Sequence, residues 1–206
     1  MSANHAAFNL IFRFVENYIS PIAGRISSQR HVMAIRDGFI SAMPFMIVGS
    51  FLLVFAYPPF SPDTTWGFAR AWLDLAKEFE GRILTPFDMT MGIMSIYICA
   101  AISYNLGKHY EKSNQLDPFM CAMLSIMAFL LIAAPKTNGT LPVDSLGGTG
   151  IFTAILVAIY CVEMMRFLKA HNIGIRLPDQ VPPMIKNSFD LLIPVLVVVL
   201  TLYPLS

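Results

Sequence analysis

Long apolar runs separated by short polar segments set the rhythm of this chain. The first begins after Asp37, and no charged residue follows until Asp63. Its sequence GFISAMPFMIVGSFLLVFAYPP, as a helix rising about 1.5 Å per residue, is long enough to cross a hydrocarbon core about 30 Å thick. Pro44 is expected to bend this helix, which a bundle tolerates, and Pro58, Pro59 and Pro62 to close it. Three more runs, 89–107, 118–135 and 145–162, carry no charge. A last run, 191–206, gives only about 24 Å of helix. It reaches a spanning length if it starts near Met184, with Lys186 and Asp190 at the headgroups. It ends in YPLS with no flanking charge, so it reads as a span cut short.

Two other segments have helical periodicity but cannot span. In residues 6–20, Asn9, Arg13, Glu16, Asn17 and Ser20 fall on one narrow stripe, and Phe8, Phe12, Phe14 and Tyr18 lie among the apolar remainder. This helix either lies in the membrane interface or packs on the protein's own core; Ser20-Pro21 should end it. In residues 65–84, Arg70, Asp74, Lys77, Glu78, Glu80 and Arg82 interleave with Trp66, Ala69, Leu73, Ala76, Phe79 and Ile83. The acidic residues read as the solvated stripe that such a helix needs, not as a catalytic pair. The pattern therefore predicts an all-α, polytopic transmembrane helix bundle of about five spans. An N-terminal amphipathic helix precedes it, and a surface helix lies in the first loop.

Composition sharpens this. Of 206 residues, 56% are hydrophobic and 13% charged, against about 25% charged in soluble domains. The net charge of +1 and the lack of any Lys/Arg run argue against nucleic acid as a partner. Arg13 and Glu16 interrupt what would be the apolar core of a signal peptide. With five spans, Arg13, Arg25, Arg30, Arg36, Lys108, Lys112, Arg166, Lys169, Arg176 and Lys186 share one side. Arg70, Lys77, Arg82 and Lys136 lie on the other. Ten against four puts the N-terminus in the cytoplasm by the positive-inside rule.

Candidate chemistry is sparse. Asp37, Asp88, Glu163 and Asp190 lie at span edges, and His5, His31, His109 and His171 in loops or flanks. No ionisable residue sits mid-span, where it would mark a functional site. Cys99, Cys121 and Cys161 lie within apolar runs without metal or redox spacing. SLGGTG lacks the preceding strand and the GK[ST] of a phosphate loop, so it reads as a tight turn with close helix packing. No catalytic, substrate-binding or metal-ligating residue is assigned, and no cofactor is expected. A transport or scaffold role fits better than an enzyme.

The ordered segments carry a resemblance. RHVMAIRDGFISAMPFMIVGS resembles the start of the first span in enzyme IIC, the membrane permease of the bacterial phosphotransferase system (PTS), in its lactose/cellobiose/diacetylchitobiose branch. The matching positions are His31, Ala34, Ile35, Gly38, Phe39, Met43, Pro44, Gly49 and Ser50. GIMSIYICAAISYNLG is similar to that family's second span. LPDQVPPMIKNSFDLLIP, residues 177–194, is similar to its LPDxVPxxVxxSFxxLIP element, the most specific of the three.

The resemblance implies a sugar permease of the bacterial inner membrane. It would import a disaccharide such as cellobiose or diacetylchitobiose, which enzyme IIB phosphorylates using phosphoryl groups relayed through enzyme IIA. It also implies a chain of about twice this length, whose substrate site lies in the second half. Residues 1–36 then read as a cytoplasmic N-terminal segment, and 37–206 as the scaffold and homodimer-forming half without the sugar site. The alternative is a transport-incompetent membrane scaffold that dimerises with, or modulates, a full-length permease through small residues such as Gly92, Ala100, Ala101, Ala122, Ala154 and Ala158.

Overall fold

The computed structural model describes residues 20–134, 142–174 and 189–205. Within them every regular element is helical. The helices are α1 (Ser20–Ser27), α2 (Arg30–Ala56), α3 (Gly67–Asp88), α4 (Met94–Asn114), α5 (Pro118–Ala133), α6 (Ile151–Ala170) and α7 (Leu192–Leu202). Short 3₁₀ turns, Gly148–Gly150 and Tyr203–Leu205, precede α6 and follow α7.

Each of the five apolar runs contains a helix. α2 and the continuous stretch Gly148–Ala170 are long and apolar enough to cross a membrane; α5 and α7 are shorter apolar helices. α2 starts at Arg30, ahead of the charge-free run, and continues through Pro44 without interruption. The amphipathic segment read as 65–84 folds as α3, extending to Asp88. The amphipathic helix expected over 6–20 lies, except for Ser20, outside the described residues, as does most of LPDQVPPMIKNSFDLLIP. The end expected for that helix at Ser20-Pro21 falls outside them too; Ser20 and Pro21 themselves belong to the first turn of α1. The physical reason is that a proline in a first turn removes an N–H that has no helical partner there.

Helix α4 is the hub, packed against α2, α5 and α6. Ile98, Cys99, Ile102, Ser103 and Leu106 are fully buried along it. Gly38 of α2 presses its backbone on Ile102, so that an added Cβ would lie 2.9 Å from the Ile102 nitrogen. Gly49 meets Thr90 and Met91, just before α4 begins. Gly38 and Gly49 are eleven residues apart, as are Ile102 and Met91, so the two helices run antiparallel in register. Gly107 does the same for α5, where a Cβ would stand 3.1 Å from both Cys121 Sγ and Pro118 Cα. Small residues let these backbones approach.

The turn from α4 to α5 is built by local chemistry. Gln115 adopts a left-handed conformation, φ 53°, and ends α4. Asp117 caps α5: its Oδ1 accepts from the Phe119 and Met120 amides at 2.9 and 3.3 Å. Pro118 follows as the first helical residue. The SLGGTG segment is the tight turn expected of it, since a Cβ on Gly150 would collide with the Ser145 carbonyl and one on Gly147 would lie 3.1 Å from the Gly92 carbonyl. Cys99, Cys121 and Cys161 are free and fully buried.

Candidate functional site

The densest polar arrangement lies where α2 begins and where α4 and α6 end. Glu163, in the third turn of α6 from its end, is its centre. Its Oε1 accepts from the Tyr110 hydroxyl at 2.7 Å and lies 3.0 Å from His31 Nε2. Its Oε2 pairs with the Arg166 guanidinium at 2.7 Å. An ionised carboxylate only accepts, so this geometry requires the proton on His31 Nε2. The Arg30 and Arg166 guanidinium carbons stand 5.5 and 4.8 Å from the Tyr110 ring centre, within cation–π range.

The same end carries a second tie. Lys169 Nζ donates to the Gln115 carbonyl at 2.7 Å and lies 3.5 Å from Asp190 Oδ2. It thus joins α6 to the α4–α5 turn and to the approach of α7. A polar cleft of about 290 Å³ lies alongside, lined by Glu111, Gln115, Leu116, Asp117 and Pro118. In chemical terms Glu163 is a half-buried carboxylate with three side-chain donors on it. Through them it clasps three helices.

A second cleft, also about 290 Å³, opens between α2, α4 and α5. It is apolar, lined by Ala42, Phe45, Tyr97, Ala100, Ala101 and Ala122 with Ser41, Tyr104 and Asn105. Of the small residues read as possible helix contacts, Ala100, Ala101 and Ala122 reach this cleft. Ala154 and Ala158 are fully buried inside the chain and serve its own packing.

At the opposite end, Ser95 binds the SLGGTG turn: its hydroxyl donates to the Gly147 carbonyl and its amide to the Leu146 carbonyl at 2.9 Å. Tyr57 donates to Glu80 Oε1 at 3.0 Å, and Trp72 Nε1 to the Phe55 carbonyl at 3.2 Å.

Of the edge residues, Asp37 pairs with its neighbour Arg36 at 2.8 Å, Asp190 with Lys169, and Glu163 with the clasp. His171 Nδ1 lies 2.9 Å from the Phe167 carbonyl, and His109 is exposed. His5 lies outside the described residues. The sequence placed Glu163 at a span edge and His31 in a flank, without joining them. The one local signal was the Glu163–Arg166 spacing of three, a helical ion-pair distance. Among the described residues, no group of three or more His, Cys, Asp or Glu side chains is placed to hold a metal ion.

Comparison with known proteins gives this arrangement a context. The chain is 35% identical over 206 residues to the PTS system cellobiose-specific EIIC component of Geobacillus stearothermophilus, covering 91% of this chain and 43% of that protein. It is 32% identical over 192 residues to the PTS system lactose-specific EIICB component of Streptococcus mutans, covering 90% of this chain and 32% of that one. Its fold matches the crystal structure of the transporter ChbC, the IIC component from the N,N'-diacetylchitobiose-specific phosphotransferase system. There the TM-score is 0.76 with 33% identity, over 94% of this chain and 46% of that one. The chain thus spans less than half the length of the relatives it matches. The family model for "Phosphotransferase system, EIIC" matches residues 36–206, and the chain belongs to that family.

Proposed function

We propose that this chain is the scaffold part of a PTS permease that imports a disaccharide, such as cellobiose or diacetylchitobiose, with coupled phosphorylation. The observation that carries this is the coverage: about nine-tenths of this chain aligns with cellobiose- and lactose-type permeases, which extend well beyond it. Enzyme IIB would phosphorylate the sugar after receiving the phosphoryl group from enzyme IIA. The sugar site would lie in sequence these 206 residues do not contain. What they supply is a rigid frame in the bacterial inner membrane, closed at one end by the Glu163 clasp.

In this reading residues 1–36 form a cytoplasmic segment and 37–206 the scaffold that contacts a second copy. Support for the orientation comes from the clasp. Contacts made by His31, Tyr110, Glu163 and Lys169 bring the start of α2 and the ends of α4 and α6 to one side. Arg30, Lys108, Lys112, Arg166 and Lys169 belong to those helix ends, as the positive-inside rule requires of a cytoplasmic face. The open cleft at Ala100, Ala101 and Ala122 favours a second reading, a scaffold that pairs with or modulates a full-length permease.

Titration calorimetry of the purified chain with cellobiose and with diacetylchitobiose tests the first reading. No heat of binding is expected, and saturable binding of either sugar would count against it. For the second, the chain should co-purify with a full-length permease in mild detergent, and failure to do so sinks that reading.

A further inference from the structure

The end of α2 opposite the clasp carries an aromatic cluster that the transport reading leaves unexplained. Phe60 lies edge-on to Trp66 and Trp72, at 5.8 and 5.7 Å between ring centres. Phe68 lies 5.5 Å from Trp66 and 5.9 Å from Trp72, and Phe55 5.6 Å from Trp72. This is not a core. Trp66 and Phe68 are each 60% exposed and Phe55 is 56% exposed.

Three observations say what covers it. Position is the first. From Gly38, just after the last charged residue of α2, to Ala56 is nineteen residues, or about 28 Å of helix, close to the thickness of a hydrocarbon core. If Asp37 stands at one headgroup layer, the cluster stands at the other. Continuity is the second. The outer face of α2 leads into the cluster through Val48, Phe51 and Phe55, each about half exposed or more. The third is the placement of α3. Trp72 and Glu80, about 12 Å apart along α3, bond to Phe55 and Tyr57, only two residues apart at the end of α2. Helix α3 therefore crosses the end of α2 and does not run alongside it. It buries Ala69 and Ala76 against the protein and leaves Phe68 and Leu75, seven residues apart on one stripe, exposed. Arg70, Asp74, Lys77 and Glu78 occupy the other face, and Arg82, seven residues after Leu75, ends the exposed stripe with a charge.

We infer that the aromatic cluster and the Phe68–Leu75 flank of α3 form a lipid-binding surface, seated in the headgroup layer of the leaflet opposite the clasp. Tryptophan and tyrosine suit that layer because an apolar ring meets the chains while the polar atom stays wet. An amphipathic helix lying in the plane suits it for the same reason. Helix α3 then acts as a collar fixing the depth of α2. The inference rests on α2 crossing the bilayer and is independent of sugar transport.

The chain reports on this surface directly, because Trp66 and Trp72 are its two tryptophans. The 206-residue chain is reconstituted into phosphatidylcholine vesicles and its intrinsic fluorescence followed. Lipids brominated near the headgroup end of the chain should remove most of the emission, and lipids brominated near the chain terminus a minor share. Aqueous iodide should also remove a minor share. The Trp72→Phe form, which emits only from Trp66, should show the same order more strongly. Dominant quenching by iodide would put the surface in water, and dominant quenching by deep bromines would put it in the hydrocarbon. Emission untouched by any quencher would mean that protein, such as a second copy, covers it. Any of these three results overturns the inference.

Discussion

The Tyr110 hydroxyl reaches across 53 positions of sequence to donate to Glu163 Oε1 at 2.7 Å. That bond joins the ends of α4 and α6, and His31 adds the start of α2 to the same carboxylate oxygen. The bundle is thus tied at one end by a carboxylate with three side-chain partners.

Replacing Glu163 should therefore loosen three helices at once. Hydrogen bonds to a charged group contribute about 1.5–3 kcal/mol each when well buried. Tyr110 is buried, but Glu163, His31 and Arg166 are partly exposed, so the lower part of that range applies. Glu163→Ala should lower the apparent unfolding temperature in detergent clearly. Glu163→Gln, which keeps an acceptor but loses the charge, should lower it less, and Tyr110→Phe should cost about 1.5 kcal/mol. Equal stability of all three with the parent chain would show that the clasp does not hold the bundle.

Two glycines should respond in opposite directions to alanine. At Gly38 a methyl group meets Ile102 side chain and backbone, and overpacking of this kind costs about 1–3 kcal/mol. At Gly81, in α3, nothing lies within 4 Å of the added carbon. There alanine should stabilise the helix by about 0.5–1 kcal/mol. Thermal unfolding of the two variants side by side checks the sign of each change.

The three cysteines should be silent in the folded chain. Cys99, Cys121 and Cys161 have no accessible surface, and a thiol reagent must reach sulfur to react. Maleimide labelling followed by intact mass should find no adduct on the folded protein. It should find three on the protein unfolded in dodecyl sulfate.

At the other end, the Tyr57 hydroxyl bond to Glu80, reinforced by the carboxylate charge, holds the Tyr57 pKa above its ordinary value. A phenol whose folded pKa is raised stabilises the fold below its unfolded pKa, and that contribution fades as pH rises through the folded one. Glu80→Gln should move one tyrosine ionisation to lower pH in the tyrosinate absorbance titration. An unchanged titration curve would break the proposed link.

The helices were legible because burial in lipid and burial in protein select the same residues. The charge-free run after Asp37 and the charged stripe of 65–84 fix their own character locally. Their ends were less legible. α2 begins at Arg30 because its first turn packs into the bundle, and a run counted from the last charge misses that. Pro21 stands in the first turn of α1, where its missing N–H has no helical partner to lose. The clasp was not legible: Glu163 and His31 are separated by 132 positions, and no local spacing joins them.

By itself, the sequence determined a chain too apolar to wet its own surface, divided into helices by charge and proline. The IIC-like segments were visible in its order of residues. Which helix became the hub was decided only in three dimensions, where Gly38 and Gly107 let α2 and α5 approach α4. So was the fate of its ionisable groups, because a carboxylate at a helix end is a plain edge residue until folding brings a tyrosine, a histidine and an arginine to it.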